Sequence, residues 1–433
     1  MSAFYAMTTL RTDRILVACP DARPPAYQAV IGLAQADLLH SFHTAYYYRG
    51  AGRVGSLASR VAPVRYARLQ RALSRRFDPN IPGERVRSSW GYDVALRLEE
   101  QLARRGHRAR SGVARWRTER FDRMLARTLP RHRPEAAFIF SDVGSQYTLP
   151  RCRELGIRTI LSMVHGDVRE EQQVLEREAE TAPDFFRIYL GDGSLDLEAL
   201  AWLHARRLRD IELADRILVP SDHIAETLIR YGTSRDKITV IPYAADTLRF
   251  RPDPAKRHDE TCTFLFAGGI TQRKGIKYLL EAWRRIRRPG WRLQLLGGLP
   301  SDPGPLVDYL DEVEVLGRVS HAEMPAIMAA ADVFVFPSLF EGSAVVTYEA
   351  LACGLACVVT PDAGSVVRDG VEGRLVPPGN IERLAEAMEQ LGLAPDRRAS
   401  MSVAARTRAE SFDWPRYHLA VAGAARHAIG NPG

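Results

Sequence analysis

The sequence contains very little lysine and no paired cysteine motif. Of its 60 basic residues, only four are lysines. A cofactor held as a Schiff base would therefore have few attachment points, and none of the four lysines lies in a recognisable context for one. The five cysteines are scattered and form no C-x-x-C pair, which argues against a zinc site and predicts buried thiols in a reducing compartment.

Long apolar runs are also absent. The most apolar stretch, 344–359, contains Glu349 and a glycine and is shorter than the roughly 20 residues that cross a bilayer. The N-terminal residues 1–14 lack the basic start, apolar core and cleavage site of a secretory signal. These features predict a cytoplasmic protein. Its 433 residues exceed the size of one hydrophobic core, so we expect at least two domains.

Arginine replaces the missing lysine in one region. Residues 49–133 hold 22 arginines and no lysine, against seven acids. One interpretation is a solvated helical face in a composition-biased protein. The other is a surface for an anionic membrane, where each basic residue contributes about 1 kcal/mol. Nucleic acid is not favoured, because no basic motif interleaved with aromatic residues is present.

Short β-rich runs alternate with helical stretches, which is typical of parallel sheets covered by helices. The runs predict strands at 14–20, 37–42, 136–142, 159–165 and 215–221 in the first half, and at 263–269, 291–298, 313–317, 332–338, 355–360 and 373–377 in the second. Residues 249–260 resemble a linker by their prolines and charge. We therefore predict domains at 1–248 and 249–410, followed by a C-terminal helix at 411–433 that returns to the first domain.

Two clusters in the second half carry the strongest chemical signals. The first is a glycine-rich turn after a strand, in which Gly268 and Gly269 precede Arg273 and Lys274 and then a helix. Backbone N–H groups and cations at a helix start suit a phosphate, although two solvated cations in a tight turn would give the same pattern.

The second cluster pairs Glu341, at the end of a strand loop, with Glu349 in the following helix. Eight helical residues would span about 12 Å, which is too long for two carboxylates on one metal but suits two ends of an extended ligand. Carboxylates accept hydrogen bonds from hydroxyls such as those of ribose and sugars. Alternatively, Glu341 could stabilise the helix start by its charge, with Glu349 on a solvated face. The residues alone leave these interpretations open.

Two glycine-containing turns follow strands nearby. The turn 317–319 could accept a base edge, and the loop 360–379 could close over a ligand.

The segment 217–252, the Arg273-Lys274-Gly275 turn and the helix beginning E-G-S-A-V-V-T-Y-E resemble the family 4 retaining glycosyltransferases. The resemblance covers about 136–430, and its most specific element is the spacing between Glu341 and Glu349. It implies the GT-B fold, an α/β architecture of two Rossmann-like, doubly wound domains facing across a cleft. It also implies a nucleotide-diphosphate sugar as donor and a hydroxyl acceptor.

The resemblance assigns roles to individual residues. Glu349 would bind the donor ribose, and Glu341 would face the transferred sugar. Lys274 would bind phosphate, and His165 would lie beside the reacting centre. Backbone groups of the remaining positions would complete the donor site, which we expect to comprise Gly268, Gly269, Arg273, Lys274, Gly317, Arg318, Val319, Glu341, Gly342, Ser343, Ala344, Val345 and Glu349.

The sequence departs from the family pattern at several of these positions. Gly269 stands where an arginine is common, so Arg273 is expected to supply the second phosphate contact. Ser343 and Ala344 replace an aromatic residue and a glycine, and Val367 stands where an acid is frequent. The first strand lacks the familiar glycine-rich acceptor loop.

Fixed cations and N–H dipoles would stabilise the leaving diphosphate without a metal or a cofactor. The sequence contains no convincing D-x-D metal motif. The acceptor is expected to be a saccharide or lipid-linked precursor at an anionic membrane, with no nucleic acid as partner. Two alternatives are a GT-B phosphorylase or synthase acting on storage carbohydrate, and a non-catalytic binding protein that kept the fold.

Overall fold

The computed structural model describes residues 14–21, 24–48, 76–104, 109–190, 196–255, 260–300 and 302–430. Part of the arginine-rich region, 49–75 and 105–108, lies outside these ranges, as do 256–259 of the predicted linker. Within the described ranges, no helix is both long and apolar enough to cross a membrane.

Thirteen strands are found in the described residues, and they pair in parallel. They are β1 Ile15–Ala18, β2 Leu39–Thr44, β3 Val86–Ser88, β4 Ala136–Phe140, β5 Arg158–Ser162, β6 Arg216–Val219, β7 Ile238–Val240, β8 Cys262–Ala267, β9 Trp291–Leu296, β10 Glu314–Val315, β11 Val333–Phe336, β12 Ala356–Val359 and β13 Gly373–Leu375.

Fourteen α-helices alternate with these strands in the described residues. They are α1 Pro24–Gln35, α2 Trp90–Arg104, α3 Ala109–His132, α4 Thr148–Leu155, α5 Val168–Thr181, α6 Pro183–Phe186, α7 Leu197–Leu213, α8 Asp222–Arg230, α9 Ile276–Ile286, α10 Met324–Ala330, α11 Val345–Ala352, α12 Ile381–Gly392, α13 Pro395–Ala409 and α14 Trp414–Ala428.

The strands form two sheets with the same winding. The first has the order β3-β2-β1-β4-β5-β6-β7, and the second has the order β10-β9-β8-β11-β12-β13. In each sheet the strand order reverses beside the first strand, as in doubly wound nucleotide-binding folds. The predicted α/β class with two doubly wound domains is confirmed. Each predicted strand is present, whereas β3 and β7 were not predicted.

The central strands of the second sheet are buried along their whole length. β8, β11 and β12 consist almost entirely of apolar residues, and every residue in them is buried. Parallel strands with helices on both faces require such continuous apolar runs. The sheet therefore supplies a rigid floor from which the loops at its carboxyl edge extend.

By their contacts, the residues divide into two compact units that are discontinuous in sequence. The first comprises Met1–Ser162, Arg209–Arg216 and His418–Gly433, and the second comprises Met163–Leu208 and Ile217–Tyr417. Composition favoured one boundary after residue 248, whereas in this division the segment 163–208, which includes His165, belongs to the second unit.

All five cysteines lie in the described residues. Each is buried and none forms a disulfide. Burial raises the pKa of the Cys152 thiol to about 12. These thiols contribute to the core as small apolar groups.

A buried arginine closes the end of α12. Arg398 of α13 is fully buried and donates to Leu391 O at 2.8 Å, to Gly392 O at 2.7 Å and to Thr261 O at 3.2 Å. Its guanidinium therefore satisfies carbonyls that the helix end leaves without N–H partners.

We expect Arg398→Met to destabilise the protein by about 3 kcal/mol, because it leaves buried carbonyls without a donor. Urea unfolding followed by intrinsic fluorescence measures the change. The neighbouring Arg397 is exposed, so Arg397→Met should change stability by less than about 0.5 kcal/mol. Equal unfolding midpoints for the two variants would contradict the role of Arg398.

Candidate functional site

All the predicted site residues belong to the second unit, and most of them follow strands of the second sheet. The loops after β8 and β11 emerge where the strand order reverses. In an open parallel sheet this is the edge at which ligands bind. The structure therefore brings the two strongest sequence clusters to one place.

Lys274 and Arg273 both contact the carboxylate of Glu341. Lys274 Nζ lies 3.2 Å from Glu341 Oε1, and Arg273 Nη2 lies 3.4 Å from the same oxygen. The Lys274 ammonium also lies 4.8 Å from the centroid of the Phe336 ring at the end of β11. Two cations thus converge on one carboxylate, and Glu341 is not a solvated cap of the following helix.

The Glu341 carboxylate is largely buried, with 13% of its side chain exposed. Burial by itself would raise its pKa, but the charges of Arg273 and Lys274 outweigh burial and hold the pKa below its ordinary value. Glu341 is therefore ionised at neutral pH. The three side chains carry a net positive charge, which suits an anionic ligand.

Backbone hydrogen bonds hold the turn that carries the two cations. The N–H of Arg273 donates to Tyr189 O at 3.2 Å, and its carbonyl accepts from Leu339 N at 2.9 Å. Gly275 then begins α9 with φ +73°, and a Cβ there would lie 2.0 Å from Pro337 O. Only glycine permits this approach of the two strand loops.

A buried acid supports the same turn from α5. Glu178 is fully buried, accepts from Gln272 Nε2 at 2.5 Å and accepts from the Tyr278 hydroxyl at 2.8 Å. Sequence reasoning missed Gln272 and Glu178. The only available signal was the position of Gln272 directly before Arg273, since the partner lies 94 residues away.

His165 lies in the loop after β5, and this loop packs against the loop that carries Glu341. A Cβ on Gly342 would lie 2.2 Å from Val164 O, and a Cβ on Gly166 would lie 2.5 Å from the Phe340 ring. The buried His165 ring bonds through Nδ1 to Gly166 O at 2.8 Å. Because a carbonyl only accepts, Nδ1 carries a proton, and in the neutral form of the ring Nε2 is an acceptor.

The segment between Glu341 and α11 is fixed by its own contacts. Ser343 Oγ donates to Gly364 O at 2.7 Å, and the N–H of Ala344 donates to Ala363 O at 3.1 Å. Val345 then opens α11, whose first N–H groups have no partner within the helix. The loop 360–379 therefore braces this helix start.

Glu349 lies within α11 and is buried, with only 7% of the residue exposed. Its Oε1 lies 3.2 Å from His321 Nε2, and Arg249 Nη1 lies 2.7 Å from His321 Nδ1. A guanidinium only donates, so Nδ1 accepts and Nε2–H donates to Glu349. Glu349 is not on a solvated face, and its carboxylate orientation depends on His321, which the sequence analysis did not identify.

The turn Gly317–Val319 leads directly to His321 and thus lies in the segment that contacts Glu349. Gly317 has φ +72°, which favours glycine. Arg318 approaches Gly298, since a Cβ on Gly298 would lie 2.3 Å from Arg318 Nε. Gly268 has φ +146° and lies against the Lys274 side chain. A Cβ on Gly268 would lie 3.2 Å from Lys274 Nζ. The predicted residues thus form two groups, one around Lys274 and Glu341 and one around Glu349.

We expect Gly342→Ala to destabilise the second unit by about 1–3 kcal/mol, because the added Cβ would force the Val164 and Glu341 loops apart. Thermal unfolding measures the loss. Gly269→Ala is the matched control, since its Cβ would have its nearest contact at 3.7 Å and Gly269 has no positive φ. A Gly342→Ala protein as stable as Gly269→Ala would show that the two loops do not depend on this contact.

Two protein-family models match the chain. The model described as "Glycosyltransferase Family 4" matches residues 93–249, and the model described as "Glycosyl transferases group 1" matches residues 261–392. Together they cover more than half of the chain, and the second contains both Lys274 and Glu341.

Curated relatives match part of the chain. A D-inositol 3-phosphate glycosyltransferase of Saccharomonospora viridis is 32% identical over 233 residues, which is 47% of this chain and 53% of the relative. The protein of the same name from Mycobacterium bovis is 31% identical over 244 residues, 51% of this chain and 50% of the relative. The match thus spans about half the length of these relatives.

Solved structures share the fold over nearly the whole chain. Sucrose-phosphate synthase of Thermosynechococcus elongatus has a TM-score of 0.65 at 17% identity, covering 96% of this chain and 99% of its own. HepE of Anabaena in complex with UDP has a TM-score of 0.57 at 14% identity, covering 96% and 100%. The family models, the relatives and the GT-B architecture agree, and the chain belongs to the family 4 glycosyltransferases of group 1.

Proposed function

We propose that this protein is a retaining glycosyltransferase that moves a sugar from a nucleotide-diphosphate sugar to a hydroxyl acceptor. The observation that carries the proposal is the convergence of Lys274 and Arg273 on Glu341 beside the start of α11. Cations and helix N–H groups at one sheet edge suit a diphosphate, and a carboxylate between them suits the sugar hydroxyls.

The proposed reaction separates charge between the two halves of the donor. The bond between the anomeric carbon and the diphosphate oxygen breaks, and negative charge develops on the diphosphate. Lys274 and Arg273 would take up hydrogen bonds to that charge and stabilise it as it grows. The acceptor oxygen bonds to the anomeric carbon on the face from which the diphosphate leaves, and its proton passes to the departing diphosphate. The configuration is thereby retained.

His165 and Glu341 would position the sugar, and Glu349 would hold the ribose. His165 has its Nδ1 proton committed to Gly166 O, so its Nε2 can accept from a sugar hydroxyl. Glu349 and His321 form a polar pair next to the turn 317–319, where a base would lie against backbone. The site needs no metal or other cofactor in this proposal, because fixed cations do the electrostatic work.

The known proteins support the substrate classes. A structure of Anabaena HepE contains UDP and glucose, which supports a uridine nucleotide sugar as the first donor to test. The curated relatives are named for a D-inositol 3-phosphate acceptor, which supports a hydroxyl acceptor that carries negative charge. We propose a saccharide or lipid-linked precursor as acceptor, at the inner face of the cytoplasmic membrane.

A thermal-shift screen of UDP-, GDP- and ADP-sugars tests donor binding. A true donor at about 100 times its dissociation constant should stabilise the protein by about 2.7 kcal/mol. The same donor should shift Lys274→Ala far less, because the variant lacks a cation for the diphosphate. No stabilisation by any nucleotide sugar would overturn the proposed donor site.

We expect Lys274→Ala and Glu341→Gln each to abolish most transfer while the protein remains folded. Transfer is measured as nucleotide-diphosphate release with the donor identified in the screen, and proton NMR of the product reports the anomeric configuration. Lys277→Ala is the control, because the Lys277 ammonium lies on α9 and donates to Thr181 O at 2.8 Å, in an exposed contact outside the proposed donor site. Wild-type turnover in the Lys274 or Glu341 variant would contradict the site, and an inverted product would contradict retention.

A further inference from the structure

An apolar groove lies between α2 and α3 in the first unit, apart from the residues assigned to the donor. It has a volume of about 490 Å³. Its lining is almost entirely apolar and consists of Gly91, Val94, Ala95, Leu98, Gly112, Val113 and Trp116. Neither the family models nor the proposed donor chemistry gives this groove a role.

The side chains at its rim are unusually exposed. The exposed fractions are 58% for Val94, 48% for Leu98 and 54% for Trp116. Val94 and Leu98 lie one turn apart on α2, and Trp116 faces them from α3. Single exposed apolar residues are ordinary, but a contiguous group with a tryptophan marks an interaction surface.

Exposed arginines continue the same face of α3. Trp116, Arg120, Arg123 and Arg127 recur at helical spacing, and all four are exposed. The Arg120 guanidinium lies 5.5 Å from the Trp116 ring centroid. Arg123 pairs with Glu119 at 3.0 Å. The sequence of α3 carries seven arginines against two acids, and that of α2 carries two arginines against three acids, so the two helices together are net basic.

The charge decides which occupant fits. A protein partner or a second copy of this chain could bury the apolar groove whatever the charge around it. Arginines around a tryptophan and aliphatic side chains instead match an anionic lipid surface. At such a surface the guanidinium groups meet headgroup phosphates, and the indole ring occupies the boundary with the acyl chains. Each arginine near an acidic leaflet strengthens the attraction.

We propose that the α2–α3 face docks on anionic membranes and inserts Trp116, with Val94 and Leu98, into the outer part of the lipid. The proposal rests on the proposed function in one respect, since it supplies the surface at which a lipid-linked acceptor would be reached. The proposal narrows the membrane surface predicted within residues 49–133 to the α2–α3 face.

Vesicle sedimentation of the full chain tests docking. Vesicles of phosphatidylcholine and phosphatidylglycerol in equal parts should bind the protein, and pure phosphatidylcholine vesicles should not. Binding should weaken as salt increases, because charge attraction is screened. Trp116→Ala should weaken binding about tenfold, and Arg120→Ser with Arg127→Ser should weaken it by more than tenfold. Val403→Ala, an exposed valine on α13, is the control and should bind as the wild type does.

Quenching by brominated acyl chains tests insertion separately. Fluorescence of the wild-type protein should be quenched by brominated anionic vesicles, and Trp116→Phe should lose most of that quenching while still sedimenting. Equal quenching in the two proteins, or absence of binding to anionic vesicles at low salt, would overturn the proposal. The proposal would also be overturned if the wild-type protein is a dimer and Leu98→Ser dissociates it, because the face would then be an interface between two copies of this chain.

The donor screen distinguishes this proposal from the proposed function. The Trp116 and Arg120 variants should keep the full thermal shift with the donor, because they lie outside the donor site. Vesicle binding without a thermal shift by any nucleotide sugar would support the docking face and contradict the proposed donor site. A thermal shift by the donor without vesicle binding would support the donor site and contradict the docking face.

Discussion

The ion pairs between Glu341 and the two cations Lys274 and Arg273 are the interaction on which the rest of the site depends. A largely buried carboxylate is tolerated only when charges compensate for its lost hydration. Each loop therefore requires the other, and removing either cation would leave Glu341 short of a partner. In the proposed function, a diphosphate would bind Lys274 and Arg273, and the Glu341 carboxylate would accept hydrogen bonds from sugar hydroxyls. In the proposed function, ligand binding and local stability would thus depend on the same three side chains.

The geometry of these loops comes from backbone packing as much as from charge. Gly275 and Gly342 bring the β8, β11 and β5 loops into contact at distances that no side chain allows. Glu178, through Gln272, fixes the turn that presents the cations. Arg273 reaches the Glu341 carboxylate from the turn that follows Gly269.

The two carboxylates that first indicated a site act in different surroundings. Glu341 faces cations, whereas Glu349 accepts a hydrogen bond from His321, which Arg249 orients. The two carboxylates therefore have separate partners in the structure, and in the proposed function they would be two contact points for one extended ligand. The substitution of Ser343 and Ala344 keeps the helix start intact, because both residues bond to the 363–364 backbone.

The sequence by itself indicated parallel sheets covered by helices, the positions of most strands and the candidate residues after β8 and β11, because apolar periodicity and glycine-rich turns are local signals. The doubly wound arrangement of the two domains was implied by the family resemblance. The sequence also marked Glu341 and Glu349 through their spacing. Only the tertiary structure decided that Glu341 meets Lys274, that His321 orients Glu349, and that Glu178 supports the turn. These contacts join residues 28 to 94 positions apart, and no local pattern encodes which distant loops a folded sheet edge will bring together.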